Sequence, residues 1–121
     1  MTNVDELSDR YAPDAATSLI HTFIEALNTG DLDRLSRCFA EGAIVNDAGR
    51  EIRGRAAIGA WAEREFVGQG GRITPTRMHP VSELGGDVVV EAELTGARRR
   101  GPSTLVVTLT EGAIALLRLR A

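Results

Sequence analysis

Asp87-Val88-Val89-Val90-Glu91-Ala92-Glu93-Leu94-Thr95 is the stretch that divides this chain into two halves. Val88, Val90, Ala92 and Leu94 alternate against Val89, Glu91, Glu93 and Thr95. Successive side chains of a strand point to opposite faces, so this period of two marks a half-buried β-strand. Downstream, Leu105, Val107 and Leu109 alternate with Val106, Thr108 and Thr110. After the tight turn at Glu111-Gly112, residues 113–120 carry Ile114 and Leu116 on one face and Ala115, Leu117 and Leu119 on the other. Upstream, residues 72–83 read as a long, partly irregular strand, weakened by Pro75 and Pro80.

Before residue 72 the period is 3.6. Leu19, Ile20, Phe23, Ile24 and Leu27 form one apolar stripe and predict a helix from about residue 15 to 28, stopped by Thr29-Gly30. Asp31 is a suitable N-cap for a second, short helix through about Phe39, with Leu32, Leu35 and Phe39 on its inner face. Ala43-Ile44-Val45 predicts a short strand, Asn46-Asp47-Ala48-Gly49 a turn, and Arg50-Glu51-Ile52-Arg53 a returning strand. A third helix is expected over residues 55–67, with Ile58, Trp61, Ala62, Glu65 and Phe66 at helical spacing. Gly68-Gln69-Gly70-Gly71 ends it. Helices first and antiparallel strands after is an α+β order. A curved sheet folded around the helices would bury both.

The chain has 121 residues, room for one domain. We expect residues 1–14 to form an N-terminal arm and residues 15–121 the domain. Hydrophobic residues are 43% and charged residues 26%, which excludes whole-chain disorder. The net charge of -3 gives no field to hold nucleic acid. No apolar run approaches the roughly 20 residues that span a bilayer. The single cysteine, Cys38, excludes an internal disulfide and reads as a small buried hydrophobe. The first residues lack the positive start and apolar stretch of a signal peptide, so a cytoplasmic location is expected. All 14 basic residues are arginine.

Several strings resemble the NTF2-like superfamily, in particular its SnoaL-like and ketosteroid-isomerase-like branch. They are Ala26-Leu27-Asn28-Thr29-Gly30-Asp31-Leu32-Asp33, then Phe39-Ala40-Glu41-Gly42-Ala43-Ile44-Val45-Asn46-Asp47, and Gly54-Arg55-Ala56-Ala57-Ile58. The resemblance implies a cone-shaped α+β barrel, a curved antiparallel sheet around three helices with an apolar pocket between them. It also implies pairing into dimers through the outer sheet face. Fold does not fix function, and this superfamily includes both enzymes and non-catalytic members.

By that resemblance Asp47 stands where ketosteroid-isomerase-like proteins hold the aspartate that moves a proton on a substrate carbon. The plainer reading is a turn residue. An isomerase of that type also needs an oxyanion hole of one tyrosine and one protonated aspartate. The matching positions read Phe23 and, near the fifth strand, Leu105, with Thr104 the nearest polar alternative. Neither Phe nor Leu donates a hydrogen bond to a developing enolate, which argues against ordinary steroid isomerase activity. The Asp-Arg-Asp relay of the epoxide-hydrolase relatives needs a second pocket aspartate, and Asp87 reads as a turn residue.

Phe23, Trp61, Val90, Val107 and Leu117 are expected to bound the pocket, with Val88 and Ala92 on the same concave face, so a small apolar ligand is expected. In an apolar cavity the Asp47 carboxyl would be pushed up, and Arg53 or Arg55 reaching in would reverse that sign. His79 is a candidate pocket acid or base. His21 reads as a solvated helix residue. Arg98-Arg99-Arg100 reads as a solvated loop or, less simply, a contact to an acidic partner or carboxylated ligand. No metal-ligand spacing occurs, so neither metal nor organic cofactor is expected.

Two functions follow. One is a SnoaL-like enzyme using Asp47 as acid or base in isomerisation, cyclisation or dehydration of a small apolar carbonyl compound. The alternative is a non-catalytic small-molecule-binding or dimerisation module. The expected homodimer would centre on Ile114, Leu116, Val106 and Val89, rimmed by Arg118 and Arg120.

Overall fold

The computed structural model describes residues 12–81, 87–96 and 98–120. In chain order it comprises α1 (Ala12–Thr29), α2 (Leu32–Arg37), β1 (Phe39–Asp47), β2 (Arg50–Arg53), α3 (Arg55–Glu65), β3 (Arg72–Pro80), β4 (Asp87–Thr95), β5 (Gly101–Thr110) and β6 (Ala113–Arg120). The strands form one sheet in the order β2-β1-β6-β5-β4-β3. All neighbours are antiparallel except β1 and β6, which run parallel. The architecture is the expected α+β cone, a curved, mostly antiparallel sheet with three helices. The first helix begins at Ala12, so three residues assigned to the arm belong to it; residues 1–11 lie outside the described residues.

Helix α1 buries Ile20, Phe23, Ile24, Ala26 and Leu27 against the sheet. It ends where Gly30 takes φ +76° and the Asp31 N–H turns back to the Ala26 carbonyl at 2.9 Å. Asp31 then caps α2, accepting from the Arg34 N–H at 3.1 Å. Asn28 ties α1 to the sheet: its amide donates to the Ile73 carbonyl and its carbonyl accepts from the Ile73 N–H, both at 2.8 Å. One side chain thereby does the work of a strand neighbour.

The inner face of the sheet follows the period of two. Val88, Val90, Ala92 and Leu94 of β4 face inward, opposite Val107, Leu105, Ser103 and Gly101 of β5. Five elements differ from expectation. Helix α2 stops at Arg37 and Phe39 opens β1, which is nine residues long where a three-residue strand was expected. Strand β3 ends at Pro80 and α3 at Glu65; the remainder of the expected long strand, residues 82–83, lies outside the described residues. On β6 the register slips: Thr108 faces Leu116 but Leu109 faces Ile114, leaving Ala115 as the extra residue of a bulge. Parity therefore reverses, and Ile114, assigned to an outer interface, is fully buried in the core.

Candidate functional site

Strand β1 brings Asp47 to one end of the cone. Ala43, Val45 and Asp47 alternate inward while Ile44 and Asn46 face out. The next two residues, Ala48 and Gly49, both take positive φ (53° and 93°), as in the tight two-residue hairpin turn favoured between twisted strands. Asn46, not Asp47, braces that turn, its Oδ1 accepting from the Gly49 N–H at 2.8 Å. Asp47 is thus no turn former. Its side chain points inward and is 4% exposed.

A buried carboxylate needs partners, and Asp47 has four hydrogen bonds. Trp61 Nε1–H donates to Oδ2 at 2.9 Å and Arg50 Nη2 donates to the same oxygen at 3.1 Å. Arg99 closes a two-pronged pair, Nη1 to Oδ1 at 3.0 Å and Nη2 to Oδ2. Arg99 Nη2 also donates to Glu65 Oε1 at 2.9 Å. Asp47, Arg99 and Glu65 therefore form a carboxylate–guanidinium–carboxylate bridge, its second acid a glutamate from α3. Ile58, Trp61, Ala62 and Glu65 are the buried stripe of α3, which places Trp61 and Glu65 one turn apart on the face toward Asp47.

Burial is the largest single influence on the Asp47 carboxyl and pushes it up. The hydrogen bonds from Arg99, Trp61 and Arg50, with the Arg99 charge, outweigh it and hold the group below the ordinary carboxylate range. This reverses the expected direction, through Arg99 and Arg50 and not through Arg53 or Arg55. Glu65 is likewise pushed up by burial and brought below its ordinary value, chiefly by Arg99. The Arg99 guanidinium is raised, first by its hydrogen bonding to Asp47.

The loop that delivers Arg99 is seated closely. Gly96 has φ +152°, and a Cβ there would stand 2.8 Å from the Gly71 Cα. Gly71 in turn is pressed against the Phe66 backbone, where a Cβ would meet the Cα and carbonyl oxygen at 3.0 Å. The two glycines let the loop cross directly over the end of α3. Arg99 then lies over the Phe66 ring, 5.3 Å from its centroid, and Phe66 meets Trp61 edge-on at 5.4 Å. Arg98 and Arg100 are exposed while Arg99 is drawn inward, so the expected solvated loop is corrected at its central residue.

A cleft of about 350 Å³ opens at this end of the cone. Asp47, Ala48, Leu94, Arg98, Arg99, Arg100, Pro102, Ser103, Leu119 and Arg120 line it. Its wall is thus mixed, with an apolar strip and four arginines, and differs from the all-apolar wall expected. Phe23, Trp61, Val90, Val107 and Leu117 are each at most 1% exposed and stand in the packed core. None of the five lines this cleft or the two smaller ones at residues 76–104 and 27–72. Trp61 alone reaches the site, through its indole N–H. His79 is half-buried on β3 opposite Val89, outside all three clefts, and its Nδ1 has no partner among the described residues.

Other assignments also shift. Arg120, expected at an interface rim, lines the cleft. Arg55 spans to the Phe39 carbonyl at 3.0 Å. Asp87 opens β4 and accepts from the Thr108 hydroxyl at 2.7 Å. Sequence reasoning missed Arg99 and Glu65. For Glu65 the signal existed: a carboxylate on an apolar helical stripe requires a cation. For Arg99 the three consecutive arginines concealed which one turns inward. Among the described residues no group of three His, Cys, Asp or Glu side chains could hold a metal ion, and no helix is long and apolar enough to cross a membrane.

Comparison with known proteins bears on the fold and the family. A proposed polyketide cyclase from Sinorhizobium meliloti is 25% identical with TM-score 0.77, over 85% of this chain and 94% of that one. A proposed ketosteroid isomerase from Kribbella flavida is 16% identical with TM-score 0.76, over 88% and 77%. A Mycobacterium tuberculosis protein solved with estradiol-17β-hemisuccinate is 14% identical with TM-score 0.76, over 88% and 93%. No curated protein matches. The sequence matches the SnoaL-like domain over residues 20–117, most of its length and every element from α1 to β6, and the chain belongs to that family.

Proposed function

We propose that the arginine-rimmed cleft is the functional site, that it takes a small carbonyl compound, and that Asp47 moves a proton there without metal or organic cofactor. The observation that carries this reading is that Asp47 is the one carboxylate lining the cleft among the described residues. Its pairing holds it ionised at neutral pH, the state a general base requires. Oδ1 accepts one hydrogen bond and keeps a lone pair for an incoming proton. Arg99 beside it supplies a fixed positive charge for a developing enolate, in place of the donors missing at Phe23 and Leu105. Isomerisation, cyclisation and dehydration all begin with such a transfer. The relatives proposed as polyketide cyclase and ketosteroid isomerase make this chemistry the first to test.

A second reading, a non-catalytic binding domain, is favoured by the same ion pair. A carboxylate that gives up hydrogen bonds to Arg99 on protonation is a weaker base than a free one. One experiment separates the two. A panel of cyclic ketones and β-keto esters is incubated with the protein in D2O, and α-proton exchange is followed by NMR. Exchange above background that Asp47→Asn abolishes supports proton transfer. Exchange that survives Asp47→Asn, or none with any member despite binding, gives the cleft to the binding domain.

We also propose a homodimer through the outer sheet face, centred on Val89, Val106 and Leu116 with Arg118 at its edge and without Ile114. These three apolar residues face out and are only partly covered. Leu116→Glu should convert the dimer to a monomer in sedimentation velocity, and a monomeric wild type would remove the claim.

A further inference from the structure

Four arginines line the cleft, and one is already paired: Arg99 is shared between Asp47 and Glu65. Arg98, Arg100 and Arg120 make no ion pair within 4 Å among the described residues, and Arg100 Nε donates to the Gly96 carbonyl at 3.1 Å. Three guanidiniums without a carboxylate contact, of which Arg98 also feels the charge of Glu65, thus surround a concave opening, in a chain whose formal net charge is -3. Concentrating like charge at one mouth carries a repulsive cost, which an anion bound there relieves. Elsewhere on the surface Arg34 pairs with Glu25, Arg53 with Glu51, Arg77 with Glu91 and Arg118 with Asp87, while Arg37, Arg55 and Arg72 stand singly, without a carboxylate pair among the described residues and not grouped about one cleft.

The rest of the lining fixes the other end of the ligand. Leu94, Pro102 and Leu119 form the apolar part of the wall, and Ser103 is buried with its hydroxyl already donated to the Arg120 carbonyl at 2.6 Å. The volume of about 350 Å³ stands near the lower limit of small-molecule pockets. A nucleic acid strand needs a longer positive track than one mouth of three side chains.

We infer that the cleft selects a small organic anion, its apolar body against Leu94, Pro102 and Leu119 and its terminal oxyanion held by Arg98, Arg100 and Arg120. This rests on the cleft being the functional site and narrows the proposed carbonyl compound to one that also carries an acidic group. Arginine forks match carboxylate and phosphate alike, so the shared chemistry is an oxyanion beside an apolar body.

The test uses 4-phenylbutyrate, its neutral amide 4-phenylbutyramide, and phenyl phosphate, titrated into the 15N-labelled protein. Amide shifts at Ala48, Ser103 and Leu119 report occupancy of the cleft. The acid should bind about tenfold or more tightly than the amide, and added salt should weaken it. Arg98→Gln and Arg120→Gln should each remove most of that preference, while Arg77→Gln, on β3, leaves it unchanged. Whether carboxylate or phosphate binds tighter assigns the oxyanion. Equal binding of acid and amide, or a preference untouched by Arg98→Gln and Arg120→Gln, overturns the anion claim and leaves the cleft reading standing. No cleft shifts with any of the three at millimolar concentration overturns both.

Discussion

The interior of the cone and its mouth are built from opposite materials. Inside, Phe23, Val90, Val107 and Leu117 are packed to near-zero exposure and offer nothing but volume and area. At the mouth, two carboxylates and a guanidinium are withdrawn from water within one hydrogen-bonded cluster, a few ångströms from that core. The interior gains stability by burying apolar surface, at no electrostatic cost. The mouth takes on desolvation cost and meets it with paired charges, an arrangement that apolar packing alone often matches in stability. The proposed function draws on this contrast, since a perturbed carboxylate beside a cleft, here Asp47, is a candidate functional group.

The interior is where the largest single loss is expected. Phe23→Ala removes a fully buried ring that also meets Phe39 edge-on at 5.6 Å. About 3–5 kcal/mol should be lost in urea unfolding, with ligand binding at the mouth retained in the fraction still folded. If binding falls in step with stability, the two regions are one unit and the contrast fails.

Arg99→Ala attacks the mouth. It leaves Asp47 and Glu65 buried with the more exposed Arg50 and Arg64 as ion-pair partners and the Arg98 charge near Glu65. Removing one partner of a buried pair costs about 3–5 kcal/mol, and the partial exposure of Arg99 puts the expectation at the lower figure. The second readout is sharper. Without Arg99 the burial of the two carboxyls is less opposed, and carboxyl 13C titration should show at least one of them moving upward. An unchanged titration would mean that Arg99 is a bystander.

How much of this was readable follows the same division. The interior is governed by period, and the alternation of Val88, Val90, Ala92 and Leu94 holds without exception. Asp47 shares the parity of Ala43 and Val45, so its inward direction was implicit once β1 is drawn as a strand to its last residue. Ile114 misled because the bulge at Ala115 reverses parity, and a bulge leaves no mark in a run as uniformly apolar as Ile114-Ala115-Leu116-Leu117. The mouth is governed by contacts distant in sequence: Asp47 and Arg99 stand 52 residues apart, and no periodicity connects a strand end to a loop. Gly71 and Gly96 allow the approach, yet in sequence each reads only as a turn residue.

The pH dependence should separate the regions without any change to the core. Asp47 and Glu65 both have folded values below their unfolded ones, about 3.9 and 4.3. Their contribution is fully present above the unfolded values and is lost as pH falls through the folded ones. Stability should therefore be insensitive to these groups from pH 7 to about 5 and fall below about 4. Asp47→Asn should flatten that acid limb, and a limb as steep as in the wild type would show that other groups set it.

The smallest effect tests the one residue that belongs to both regions. Trp61 is 1% exposed, its ring packed edge-on against Phe66, yet its indole N–H is a donor to Asp47 at 2.9 Å. Trp61→Phe keeps an aromatic body in the core and deletes the donor. Asp47 Oδ2 retains Arg99 and Arg50, so the loss from the missing hydrogen bond should be near 1 kcal/mol. Reduced ring volume adds its own loss, and a double-mutant cycle with Asp47→Asn removes that part, because the packing term is common to both backgrounds. Asn keeps a carbonyl acceptor for the indole N–H, so the cycle reads the part of the bond that depends on the carboxylate charge, and a coupling energy of up to about 1 kcal/mol would establish that the core residue also holds the ionised Asp47 in place. With the N–H gone, the Asp47 carboxyl should move upward, since one of the bonds holding it down has been removed. A coupling near zero with no movement of the carboxyl would return Trp61 wholly to the interior, leaving Arg99 and Arg50 to hold Asp47.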